Sequence, residues 1–216
     1  MSRWQQLPVV EKWNVCTHLI GAIASVIGAL VLHYFMVDAP LRVNLAVVLY
    51  SFSMIFLFSA STRYHAALPS EQALWQRVDH IAIYFLIAGT YTPVGLTVLY
   101  DSSGPWLLAI VWTLALVGLL YKLFFIHRWA GFSLFLYLAM GWLVVFQVRN
   151  VQLLFSPTAF LYLVLGGVFY TTGVLFYRWH QLKYHHVIWH FFVLFGAFFH
   201  FLMVVAILQQ QGYLDL

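Results

Sequence analysis

The chain reads as all-α, a polytopic integral membrane protein built as a seven-transmembrane helix bundle, on three observations. Of its 216 residues 64% are hydrophobic and 7% charged, with a mean hydropathy of +0.90, outside the usual composition of soluble domains. The apolar residues form runs that approach or exceed the roughly 18 residues a helix needs to cross a bilayer. The alternating pattern of a membrane β-barrel is absent. A single cysteine, Cys16, excludes an intrachain disulfide. The formal net charge of +4 is spread over the connections, so it bears on topology and does not mark a nucleic-acid partner.

The elements follow in order. Met1 to Asn14 is polar and aromatic, and the apolar run over residues 15–36 is too long for the core of a cleavable signal, so it is the first span. Asp38-Ala39-Pro40 precedes a second helix over 43–64, which closes on Ser61-Thr62-Arg63-Tyr64-His65. Pro69 opens a polar connection over 70–78. The third helix, 79–99, carries Pro93 in its outer half, where the missing N–H predicts a kink. Asp101-Ser102-Ser103-Gly104-Pro105 leads to a fourth helix over 106–125, and His127-Arg128-Trp129 leads to a fifth over 130–148. Arg149 and Pro157 bracket the next turn, the sixth helix covers 158–177, residues 178–185 connect, and the seventh covers 186–208. One domain results, without linker or repeat. Gly21, Ser25 and Gly28 in the first helix, and Gly166, Gly167 and Gly173 in the sixth, predict close helix packing.

Arg3, Lys12, Arg63, Arg77, Lys122, Arg128, Arg178 and Lys183 fall on one side of such a bundle, and Arg42 and Arg149 on the other. This asymmetry predicts a cytoplasmic N-terminus and a C-terminus outside. Trp13, Tyr64, Trp75, Trp129, Trp179 and Tyr184 lie at the same ends, as an interfacial aromatic belt does.

Histidines break the apolar pattern. His186 and His190 share a helical face with Cβ atoms about 5–6 Å apart and can take one metal ion together. The second helix ends where the third and seventh begin, which puts His65, Asp79, His186 and His190 at similar depth near the inner leaflet. Ser61 lies one turn before His65 on the same face. Three imidazoles leave one position open on zinc, the layout of a catalytic centre. Water there is acidified to a pKa of about 7, Asp79 can accept its proton, and Ser61 can bond the water or a carbonyl oxygen. The spacing is that of the soluble His-Glu-x-x-His motif, but Val187 replaces the glutamate, so the base comes from another helix. The competing reading is that these groups merely satisfy one another as interhelical hydrogen bonds, with Asp79 an anion at a helix N-terminus. Asn14 and His18 share a face of the first helix and are placed behind the ligands. Cys16 packs. His80 turns about 100° away from Asp79. His200 lies about 15 Å deeper than His190 by helical rise, beyond reach of the same ion, and is expected to line a cavity. His33, His127, His180 and His185 are interfacial or loop residues.

Asn14-x-x-Thr17-His18, Ser61-x-x-x-His65, Asp79-His80 followed by Ala88-Gly89-Thr90-Tyr91-Thr92-Pro93, and His186-x-x-x-His190 followed by His200 together resemble the progestin and adipoQ receptor superfamily, more closely its bacterial hemolysin III branch. The likeness covers nearly the whole chain. It implies one zinc ion held by His65, His186 and His190, with Asp79 and Ser61 close to the metal-bound water, a cytoplasmic N-terminus and a multi-pass place in the bacterial inner membrane. The eukaryotic receptors of the superfamily are linked to ceramide hydrolysis and to a wider group of membrane-bound metal-dependent hydrolases. This chain departs from them in lacking a long cytoplasmic N-terminal region, so a protein-hormone ligand is not carried over. The expected function is zinc-dependent hydrolysis of an amide or ester bond of a membrane lipid, its fatty acyl chain in the bundle interior. The alternative is a non-catalytic receptor or regulator of membrane lipid and energetic homeostasis. A pore-forming cytolysin is disfavoured, because the polar residues gather at one end and do not follow a lumen.

Overall fold

The computed structural model describes residues 3–125 and 130–216, so the expected turn at His127-Arg128-Trp129 lies outside the described residues. The elements are α1 (Arg3–Gln6), α2 (Val9–Phe35), α3 (Leu41–Ala66), α4 (Gln72–Leu96), α5 (Gly104–Phe125), α6 (Ala130–Gly141), a 3₁₀ helix (Trp142–Gln147), α7 (Val148–Leu154), α8 (Pro157–Arg178) and α9 (His185–Gln210). Among the described residues, the one pairing of extended chain is an isolated bridge between Met36 and Leu214. Six segments are long and apolar enough to cross a membrane: α2, α3, α5, Gly131–Leu154, α8 and α9. The remaining long helix, α4, carries Gln76, Arg77, Asp79 and His80 in its first half and is not among them.

Several helices start before their apolar runs do. α2 begins at Val9 because Pro8 enters it with φ −54° and its carbonyl accepts the Lys12 amide at 3.1 Å. Glu11 and Asn14 therefore stand on the helix and not ahead of it. α4 begins at Gln72 where 79 was expected. The Glu71 carbonyl accepts the amides of Leu74 and Trp75, while the Glu71 carboxylate pairs with Arg63, whose guanidinium also lies over the Trp75 ring. At the other end the Thr97 hydroxyl donates to the Pro93 carbonyl at 2.6 Å.

The expected fifth helix over 130–148, with Arg149 in a turn, needs correction. The segment changes from α to 3₁₀ at Trp142 and returns to α-helix over Val148–Leu154, so Arg149 is helical and the turn lies at Phe155 and Ser156. The cause is a side chain from α4. The Tyr91 hydroxyl approaches the carbonyls of Met140 and Gly141 at 3.0 and 2.9 Å and accepts the Val144 amide at 3.0 Å. A polar group inserted into the backbone ladder in this way is a recognised cause of a helix break. Ser156 then caps α8 through its hydroxyl, which accepts the Ala159 amide at 3.2 Å, with Pro157 following.

α3 and α4 form the centre of the bundle, packed against one another and flanked by α2, α5 and α9. They pack tightly at Gly89, where a Cβ would fall 2.2 Å from Ser53 Oγ and 2.6 Å from its Cβ. Gly89→Val is expected to destabilise the bundle by about 1–3 kcal/mol through overpacking, read as a lower thermal midpoint in detergent. Gly21, Gly28, Gly166 and Gly173 also face side chains of neighbouring helices, whereas Gly167 meets nothing within 4 Å. At one end of the bundle the Arg3 side chain donates to the carbonyls of Ala66 and Ala67 and so caps α3, while Leu7 is buried beside it. Here the end of α3 meets the beginnings of α2, α4 and α9.

Candidate metal centre

His65 closes α3, and His186 and His190 occupy the first two turns of α9. One potential ligand atom from each lies within 4.8 Å of the others, the single such group of metal-ligating side chains among the described residues. The ring centroids are separated by 5.1 Å (His65 to His186), 5.0 Å (His65 to His190) and 4.7 Å (His186 to His190). His65 and His190 are buried and His186 is partly so. The chain enters α9 through Tyr184 in the left-handed region, φ +66°, which costs an L-residue roughly 1–2 kcal/mol and places His185 and His186 at the first turn.

Two neighbours on α2 decide which nitrogens face the centre. Glu11 Oε2 lies 2.7 Å from His65 Nδ1. A carboxylate only accepts, so Nδ1 carries the proton and the lone pair resides on Nε2, which is buried with no partner. Thr17 Oγ1 lies 2.9 Å from the carbonyls of Trp13 and Asn14 and 3.0 Å from His190 Nδ1. With its one proton given to a carbonyl, as in the usual helical back-bond, the hydroxyl accepts from Nδ1–H, which leaves the lone pair of His190 on Nε2; His190 also bonds the Asn14 backbone. A buried imidazole nitrogen left unpaired costs about 1–3 kcal/mol, and a divalent cation is the partner that would remove that cost. Three neutral nitrogen donors fit zinc with a fourth position free. Spacing alone did not single out Glu11. The available signal was the face Glu11, Asn14, Thr17, His18, once the helix is drawn back to Val9.

His18 stacks on His190 with ring centroids 3.5 Å apart and planes 14° from parallel, and meets the edge of Phe58 at 5.2 Å. Asn14 bonds Glu11 at 3.4 Å, so both α2 residues stand behind the ligands. Ser61 is buried and within side-chain hydrogen-bonding reach of Asp79, which lies within electrostatic reach of His65. The carboxylate and hydroxyl thus flank the histidines from α4 and α3. Glu11→Ala is expected to weaken metal binding about 10–100-fold by freeing the His65 tautomer, measured by chelator competition on the purified protein.

None of the remaining histidines joins this group as a ligand, although the His185 ring lies 6.1 Å from that of His186 and His80 is within electrostatic reach of it. His80 carries its ring toward α5, within electrostatic reach of Lys122, and its carbonyl accepts the Tyr137 hydroxyl at 2.8 Å. His200 lies against α8, with Nε2 3.4 Å from the Leu163 carbonyl and its ring beside Tyr170 and over Gly166. His185 Nδ1 lies 3.2 Å from the Phe176 carbonyl, and its ring meets that of His180. His33 is exposed at the far end of α2, Cys16 is a free, partly buried thiol, and His127 lies outside the described residues.

The family described as Haemolysin-III related matches residues 8–201. Hemolysin-3 of Bacillus cereus is 38% identical over 207 residues, spanning 95% of this chain and 94% of its own. The Hemolysin-3 homolog of Bacillus subtilis (strain 168) is 39% identical over 189 residues, 87% and 89% of the two chains. A more distant relative, of the progestin and adipoQ receptor type, is the human Monocyte to macrophage differentiation factor, 28% identical over 211 residues, 92% and 84% of the chains.

Proposed function

Because the chain belongs to the haemolysin-III related family, we propose that it is a seven-span protein of the bacterial inner membrane that hydrolyses an amide or ester bond of a membrane lipid at one zinc ion held by His65, His186 and His190. α4 is the seventh span in this reading. Its second half, from Ile81 onward, is packed among neighbouring helices and its polar first half lies exposed or half-buried at the end carrying the histidines, so it needs less apolar surface than a lipid-facing span. The excess of Arg and Lys at the end carrying the histidines supports a cytoplasmic N-terminus, an external C-terminus and a centre near the inner leaflet.

The observation that carries the chemistry is the juxtaposition of three histidines, two with Nε2 lone pairs fixed from behind, and the Ser61–Asp79 pair. Zinc, when bound, supplies Lewis acidity toward a scissile carbonyl and toward water. Asp79 accepts the proton of the attacking water and returns it to the leaving amine or alkoxide. Ser61 donates to the carboxylate and holds it beside His65. Glu11 and Thr17 keep the two imidazoles in their tautomers, and the apolar walls of the bundle receive the acyl chain. The test is release of fatty acid, followed by mass spectrometry, from a panel of ceramides, acyl esters and phospholipids incubated with zinc-loaded protein in nanodiscs. Release above that of Asp79→Asn supports the reading. No release from any lipid, with zinc bound and lipid retained, sinks it.

A second reading has its own observation. The ligands and their supports come from α2, α3 and α9, so an ion at the centre ties three helices together. A non-catalytic regulator of membrane lipid homeostasis would use that tie as its switch, and Asp79→Asn would then leave its output intact.

A further inference from the structure

Lys122 stands in the last turn of α5 and is 3% exposed. A lysine near the end of a membrane helix ordinarily extends its stem toward the headgroups. This one is buried on the side of α5 that faces His80 of α4. Its charge reaches His80, and among the described residues no carboxylate pairs with it. Three polar atoms of the same junction are buried without an aligned hydrogen bond: His80 Nδ1, Tyr84 Oη and Ser133 Oγ. Tyr84 is brought there by Gly118, one turn before Lys122, where a Cβ would fall 2.5 Å from the tyrosine ring carbons. The Tyr84 hydroxyl lies beside those of Ser133 and Tyr137, and Tyr137 donates to the His80 carbonyl at 2.8 Å. One ammonium and three groups able to donate thus converge; the Asp79 carboxylate lies within electrostatic reach of Tyr137 at the edge of the junction but not of Lys122.

We propose that this junction binds a phosphate oxyanion, supplied by the headgroup of a phospholipid in the leaflet next to the metal centre. Lys122 is the counter-charge, and Ser133, Tyr84 and His80 are the donors. Phosphate suits the set better than carboxylate. It offers more acceptor oxygens to several donors, and lysine meets it as a point charge without the bidentate geometry of arginine. The last turn of a spanning helix also lies at headgroup depth. His80 lies within electrostatic reach of His186, but the site shares no ligand with the three histidines and does not depend on hydrolysis.

Native mass spectrometry of the purified full-length protein tests this with phosphatidylglycerol, diacylglycerol and inorganic phosphate as probes. Wild type is expected to retain phosphatidylglycerol about tenfold better than diacylglycerol, the size of one charge-assisted contact. Lys122→Gln is expected to abolish that preference, Lys122→Arg to keep it, and Ser133→Ala to weaken it about threefold, with zinc content unchanged in all. Displacement of phosphatidylglycerol by millimolar inorganic phosphate, dependent on Lys122, supports the oxyanion site and assigns free phosphate as an occupant. If Lys122→Gln does not fold, Ser133→Ala and Lys122→Arg decide. Phosphatidylglycerol and phosphate binding equal to wild type in Lys122→Gln, or in Ser133→Ala where that variant stands alone, overturns the proposal.

Discussion

His190→Ala is expected to abolish both metal binding and turnover and to loosen the bundle. The residue is 1% exposed, its ring stacks on His18, and its Nδ1 is held by Thr17. Substitution removes a ligand and leaves a cavity between α2 and α9. The affinity loss should exceed the 10–100-fold typical of groups that only support a ligand. The lost packing adds about 2–4 kcal/mol of destabilisation. Chelator competition reads the first effect and thermal unfolding with and without added zinc the second. His200→Ala is the control. It also removes a ring packed between helices, but one against α8, so it should lower stability while leaving metal affinity as it was. Loss of metal in both variants would mean that general loosening, and not ligation, is being measured.

Asp79→Asn is expected to separate binding from chemistry. The amide nearly matches the carboxylate in shape and can still accept from Ser61, so folding and zinc content should hold. Removing a positioned general base typically lowers turnover by about 100- to 10,000-fold, and that loss in kcat at constant metal stoichiometry is the expected result. Undiminished turnover would remove Asp79 from the mechanism. The comparison also distinguishes a hydrolase from a metal-dependent switch, because only the hydrolase needs the carboxylate to move a proton.

Much of this architecture is legible in the sequence, because a bilayer imposes long apolar runs and the exceptions to them stand out. His186 and His190 declare a shared face by their spacing, and His65 and Asp79 are polar groups at the ends of such runs. What the sequence hides is long-range and polar. Tyr91 breaks the segment after Gly141 through hydrogen bonds from another helix, and between residues 130 and 154 only Gly141 itself hints at an interruption. Glu11 lies outside the apolar run of α2, where a carboxylate reads as an interfacial charge. Only the extension of the helix to Val9 turns it toward His65. Lys122 counts as one more positive charge for topology, and its inward course appears only once Gly118 and Tyr84 are seen to meet.

The central claim is that His65, His186 and His190 form a zinc centre, and X-ray absorption at the zinc edge of the purified protein, with metal content measured on the same sample, tests it most directly. About one zinc per chain, held by three imidazole nitrogens at roughly 2.0–2.1 Å and lost in His65→Ala, His186→Ala and His190→Ala, is the predicted result. Protein purified under zinc-replete conditions without stoichiometric metal, or zinc retained with an unchanged spectrum in those three variants, would contradict it.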